Sequence, residues 1–222
     1  MFKRVLISTC IVLAAALAAW AQTPKVEITG LIGYTLADGV SGDPIKAANG
    51  QTYDSVEPQD SVNFGLSFGF FVTPSAEIGF LWRRQATKMD VSGTARSTVG
   101  DWNIDGYHGY GAYYFGDPEA KVHPYVMFGL GATHYGSVSY KKVDGSAAST
   151  PSGTQFSGTG GAGVKVNASP NVGVKFGIQW TPTYIKSDAV GWWCDPWWGC
   201  YVVGDAQYSS QFEFVGGITF RF

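Results

Sequence analysis

The sequence predicts an all-β fold: an eight-stranded antiparallel up-and-down barrel that crosses a membrane, following a cleaved signal peptide. Three observations carry this reading. First, residues 208–222 form a closing strand in which Phe222, Phe220, Ile218, Gly216, Phe214 and Phe212 alternate with Arg221, Thr219, Gly217, Val215, Glu213 and Gln211. A period of two gives one apolar and one polar face. If the aromatic face meets lipid, the polar face must line a closed barrel, because lipid satisfies no backbone group. Second, aromatic residues make up 15% of the chain and charged ones only 14%, against about 25% charged in ordinary soluble domains. Third, eight period-two segments are joined alternately by short turns and long loops.

The order begins with a targeting segment. Lys3 and Arg4 precede an apolar run over residues 5–18, and Ala19-Trp20-Ala21 offers a small-residue cleavage site. Residues 1–21 are read as a signal peptide, and residues 22–222 as one barrel domain. Without Lys3 and Arg4, 13 basic residues face 17 acidic ones, a formal charge of −4. That balance gives no reason to expect nucleic acid as a partner. Beyond the signal no run of 18 apolar residues occurs, so no transmembrane helix is expected. Cys10 leaves with the signal. Cys194 and Cys200 remain in a loop facing an oxidising compartment, where a disulfide is expected. No His or third Cys lies near them in sequence, which argues against a metal site.

Residues 26–34 open the barrel, with Val26, Ile28, Ile32 and Tyr34 on one face, and residues 37–60 read as a long loop. Strand two, 61–72, alternates Val62, Phe64, Leu66, Phe68, Phe70 and Val72 with Asn63, Gly65, Ser67 and Gly69. A tight turn at 73–75 leads to strand three, 76–87, with Ile78, Phe80 and Trp82 outward and Glu77, Gly79 and Arg83 inward. Residues 88–101 read as the second loop. Strand four, 102–115, has two phases: one hides Asp105 and exposes His108 to lipid, the other reverses them, and a bulge would accommodate both. After a turn at 116–121 come strand five, 122–135, a Ser/Gly-rich loop at 136–155, and strand six, 156–166. A turn at 167–171, strand seven at 172–184 and a fourth loop at 185–207 complete the order. Each strand reaches the roughly 9–11 residues that a tilted span needs.

The charges test the phase. Glu27, Glu77, Arg83, Lys165, Lys175, Glu213 and Arg221 all fall on polar faces. Outside the fourth strand only Arg84 falls on the apolar face, at the outer end where a long side chain can snorkel. A lipid-facing Arg or Lys costs roughly 2–4 kcal/mol at mid-bilayer. An eight-stranded barrel is only wide enough for side chains to fill. The seven inward charges therefore read as a salt-bridged plug, with an ion or proton path as the alternative.

Residues 122–131, containing PYxxxGxG, and the strand–turn–strand at 161–176 resemble the OmpA/OmpX-like outer-membrane β-barrel domain. With the terminal Phe222, the resemblance covers essentially the whole mature chain. It implies insertion in outer-membrane lipid, and a C-terminal strand, ending in Phe220 and Phe222, that the barrel-assembly machinery reads. It implies a monomer with short turns in the periplasm and long loops outside. It assigns no activity, since the family includes adhesins, anchors and small pores.

Four of the eight Trp lie within seven residues of the fourth loop: Trp192, Trp193, Trp197 and Trp198, with Tyr201 just beyond. Rigid clustered Trp suits contact with a sugar, a headgroup or a host surface; an aromatic girdle at the membrane interface is the plainer reading. His134 with Ser137 or Ser139 is the one pair placed for lipid-modifying chemistry, but no acidic partner is near in sequence. The acidic first loop, with Asp38, Asp43, Asp54, Glu57 and Asp60, matches no EF-hand. No cofactor is implied. The function expected is non-enzymatic surface display for envelope integrity, adhesion or interaction. The alternatives are a narrow small-solute pore, a lipid-modifying enzyme and, as another fold, a secreted β-sandwich.

Overall fold

The computed structural model describes residues 26–46, 51–141, 146–185, 193–195, 199–201 and 207–222. Residues 1–21, read as the signal peptide, lie outside them. Fourteen strands occur among the described residues: β1 (Val26–Ala37), β2 (Val40–Lys46), β3 (Thr52–Pro58), β4 (Ser61–Thr73), β5 (Ala76–Gly93), β6 (Ser97–Tyr114), β7 (Val122–Tyr135), β8 (Ser139–Lys141), β9 (Ala147–Ser149), β10 (Gly153–Asn167), β11 (Val172–Ile185), β12 (Trp193–Asp195), β13 (Gly199–Tyr201) and β14 (Gln207–Arg221). Eight of them form an antiparallel ring in the order β5-β4-β1-β14-β11-β10-β7-β6, closed by the pairing of β6 with β5. The first and last strands meet in register from Glu27–Arg221 to Ala37–Gln211. Val26 and Phe222 exchange both backbone hydrogen bonds, at 3.2 and 2.9 Å, so the terminal Phe is part of the closure.

Alternation sorts every barrel strand into two faces. Phe64, Phe68, Phe80, Phe128, Phe176 and Phe214 point outward, while Glu27, Thr35, Asn63, Gln85, Gln179 and Thr219 are buried inside. Interior glycines leave room for large inward side chains. A Cβ at Gly69 would stand 1.9 Å from a Glu77 carboxylate oxygen, and one at Gly79 would stand 2.7 Å from the Tyr110 ring. At the turn between β6 and β7, Gly116 has φ of 95°, a left-handed conformation that glycine adopts without strain.

The structure corrects several expectations. The first loop contains the hairpin β2–β3, and β3 continues the sheet by pairing with the outer part of β5, from Pro58–Met89 to Tyr53–Gly93. The second loop shrinks to residues 94–96, because β5 runs on to Gly93 and β6 begins at Ser97. The cause is a second core beyond the membrane span, where Val40, Tyr53, Val56, Met89, Val91, Trp102, Ile104, Tyr135, Val138 and Ile185 are buried together. The third loop holds the short hairpin β8–β9.

Strand four keeps one phase. Trp102, Ile104, His108, Tyr110, Ala112 and Tyr114 face inward, and no bulge interrupts β6 at these positions; the β5–β6 irregularity lies at Met89–Asp90. Asp105 faces outward beside Arg84, which donates to it from Nε at 2.7 Å and Nη2 at 2.9 Å. The lipid-side arginine is therefore ion-paired rather than simply snorkelling. One interruption falls elsewhere: the β10–β11 ladder passes from Ser157–Thr183 to Gly160–Trp180, skipping the positions around Pro182, which has no N–H to give.

Candidate functional site

The interior is layered. Nearest the chain termini, Glu27 is fully buried, and three cations surround it. Lys165 Nζ pairs with Oε2, Lys175 Nζ lies 2.6 Å from Oε1, and Arg221 Nη2 lies 3.3 Å from Oε2. Glu77 accepts hydrogen bonds from the hydroxyls of Tyr110, at 2.5 Å, and Tyr114, and Lys175 stands 3.4 Å away. Rings complete the cage. Lys165 Nζ is 5.2 Å from the Phe71 ring centre, Lys175 Nζ is 5.5 Å from that of Tyr114, and the Arg221 guanidinium is 4.8 Å from that of Phe71, all within cation–π range.

Above this cage, Arg83 pairs with Glu213 and donates to Gln211 at 3.0 Å, and Gln211 donates to Gln85 at 2.9 Å. Thr35 donates to Glu213 and receives from Asn63 at 2.7 Å. Beside Arg83, on the neighbouring β6, the fully buried His108 places Nε2 2.9 Å from Ser157 Oγ, and Thr133 donates to the same hydroxyl at 2.9 Å. An interior cavity of about 30 Å³, bordered by Ser67, Leu81, Tyr110, Lys175 and Gln179, has room for a water molecule and little more. At the far end the apolar cluster around Trp102, Tyr135 and Val138 covers the polar lumen.

Phe71, Tyr110, Tyr114 and His108 were not among the expected site residues. Phe71 stood in the inward phase of strand two, next to Gly69. The other three required the phase of strand four, which alternation alone left undecided.

The outer elements are simpler. The β12–β13 hairpin sets Cys194 opposite Cys200 and Trp193 opposite Tyr201. Trp192, Trp197 and Trp198 lie outside the described residues. His134 faces outward, with Nδ1 2.8 Å from Thr154 Oγ1, so its ring engages Thr154 rather than Ser137 or Ser139. In the first loop, Asp60 accepts from the Ala37 N–H at 3.0 Å, and Glu57 pairs with Arg96 at 3.0 Å. Asp90 sits at the base of the outer sheet. Burial opposes its ionisation, but hydrogen bonds from Thr98, Arg96 and Gln59 and the Arg96 charge hold its carboxyl below the usual carboxylate range.

Comparison with known proteins agrees with this architecture. The chain resembles the crystal structure of Neisserial surface protein A, with a TM-score of 0.53 and 15% identity over 89% of this chain and 97% of that one. It also resembles the outer membrane protein OprG from Pseudomonas aeruginosa, with a TM-score of 0.59 and 14% identity over 90% and 96%. No curated protein matches the chain in sequence. The family described as outer membrane protein beta-barrel domain matches residues 7–213. Closed ring, apolar belt and family match agree: the chain belongs to the outer membrane protein beta-barrel domain family and is a protein of the outer membrane.

Proposed function

We propose that this barrel is a non-conducting scaffold that displays an ordered β platform at the cell surface for contact with an extracellular ligand or host surface. The observation that carries the reading is the layered closure. A buried ion cage blocks the periplasmic half of the lumen, and an apolar cluster covers its outer mouth. An eight-stranded ring leaves little further space. A sealed lumen moves the search for function to the outer elements. There β5 and β6 continue into a sheet with β3 and β2, and the β12–β13 hairpin pairs Trp193 with Tyr201 in register. Register between Cys194 and Cys200 is compatible with a cross-strand disulfide that would stiffen this hairpin. The name of Neisserial surface protein A, a fold relative, is consistent with a role in display. Assembly as a monomer, with Phe220 and Phe222 as the signal read by the assembly machinery, belongs to the same proposal.

Planar-bilayer recording of the refolded mature protein tests it, after a shift in gel mobility on boiling has verified folding. Silence under voltage is expected. Discrete, reproducible current steps would instead make the protein a narrow pore lined by Arg83, Glu213, Lys175 and Arg221.

A further inference from the structure

The charges of the span are matched one to one except at its periplasmic end. Arg83 has Glu213, and Arg84 has Asp105. In the cage nearest the chain termini, Lys165, Lys175 and Arg221 share only two carboxylates, those of Glu27 and Glu77. The cage therefore carries an excess of one positive charge. Glu77 has little acceptor capacity to spare, because the Tyr110 and Tyr114 hydroxyls already donate to it. The buried His123 of β7 stands in register with Lys165, and it can add to the excess but not offset it. A charge held out of water without a counter-charge is costly, so the excess calls for one more anion.

Arg221 is where an anion can arrive. Its side chain is 20% exposed, against 2% for Lys165 and 9% for Lys175. The guanidinium is 4.8 Å from the Phe71 ring centre, which supports it from one side. Of the five guanidinium N–H groups, one serves Glu27, from Nη2 at 3.3 Å. The buried Nε–H meets no acceptor among the described residues. By comparison, Arg83 and Arg84 each make two hydrogen bonds to side chains. Among the described residues neither of the rim acids Asp117 and Glu119 pairs with Arg221, and the Phe222 carboxyl group is hydrogen-bonded to the Val26 N–H instead.

We infer that the periplasmic mouth is a seat for an oxyanion, a carboxylate or phosphate group, which accepts from Arg221 and balances the cage. The planar guanidinium fork matches the paired oxygens of either group. The oxyanion is either free in the periplasm or carried at the end of an acidic peptide. This seat is independent of the outer elements and of whether the lumen conducts.

The test is a titration of the refolded mature protein in micelles, at neutral pH and constant ionic strength, read by NMR from the arginine Nε–H signals. Inorganic phosphate and N-acetylalanine are the probes, one for each source. Arg221 should shift saturably with at least one of them, while Arg83, neutralised by Glu213, should not. The probe that saturates at lower concentration identifies the source. K165M leaves two cations for two carboxylates and keeps Arg221 as the reporter, so it should weaken binding roughly tenfold, the scale of one partly screened charge. K121Q removes an exposed rim lysine outside the cage and should bind as wild type does. No saturable shift at Arg221, or equal shifts at Arg83 and Arg221, would overturn the seat. Binding as tight in K165M as in wild type would overturn the charge excess as its basis. Equal weakening by K121Q and K165M would reduce the effect to general attraction and overturn it as well. Should K165M fail the boiling-shift test for folding, the contrast between Arg221 and Arg83 in wild type still decides.

Discussion

Glu27 shows what a single residue does in this lumen. It has no exposed surface, and it is the common anion of Lys165, Lys175 and Arg221. Replacing it with Gln removes the charge but keeps the shape, leaving three cations crowded together out of water. Breaking a buried pair from one side costs about 3–5 kcal/mol. E27Q should therefore unfold at lower urea concentration, measured as the loss of the boiling-sensitive gel shift. The placement of Glu27, Lys165 and Lys175 on inward faces was legible from alternation, because a one-residue error in phase would have put each of them in lipid. That such charges would pair was expected, but which partner each would take was not legible. Glu27 and Lys165 are 138 residues apart, and only the closed ring brings them together. Asp90 adds a pH dependence outside the span. Its carboxyl titrates lower in the folded protein, so its stabilising effect is complete above the ordinary carboxylate range and fades as pH falls through the lowered value. Hydrogen-exchange protection factors at Gln59 and Thr98, corrected for the intrinsic rate, should fall on acidification in the wild type, and D90N should flatten that response.

At the scale of elements, the barrel strands and the short turns were readable, while the outer hairpins were not. The loop at 37–60 has the Gly, Asp and Asn content of irregular chain, yet Val40, Tyr53 and Val56, brought to one face by a register shift at Tyr53–Ser55, join Met89 and Val91 in the outer core. Local composition hid a long-range core. Trp102 tests that core: it is buried, and its indole donates to the Gly136 carbonyl at 2.8 Å. Cutting such a residue to Ala costs about 3–5 kcal/mol. W102A should leave the heat-modifiable barrel intact while exposing residues 37–60 and 88–101 to protease; resistance equal to wild type would deny the outer core its role. The terminal strand has the opposite character. A polar residue in place of Phe222 retains the backbone bonds to Val26 but removes the terminal ring, so lower outer-membrane levels with normal refolding in vitro are expected if the ring serves assembly.

Across the whole molecule the ring joins two environments with inverted rules. In the span, apolar side chains face out and charges face in apart from the Arg84–Asp105 pair, whereas beyond it Trp102, Tyr135 and Val138 turn inward as in a soluble domain. His108 and Asp105 mark why the seam was hard to read. They sit three residues apart on opposite faces of one strand, and choosing between them required knowing that Asp105 has Arg84 beside it. The length of β5 and β6 carries a further consequence. Eighteen residues each amount to roughly 60 Å of strand, about twice the thickness of the hydrocarbon layer. The hairpin therefore works as a ruler, fixing both the height and the heading of whatever it carries. Removing two residues from each strand lowers the tip with its heading unchanged, whereas removing one from each turns it to face the other way.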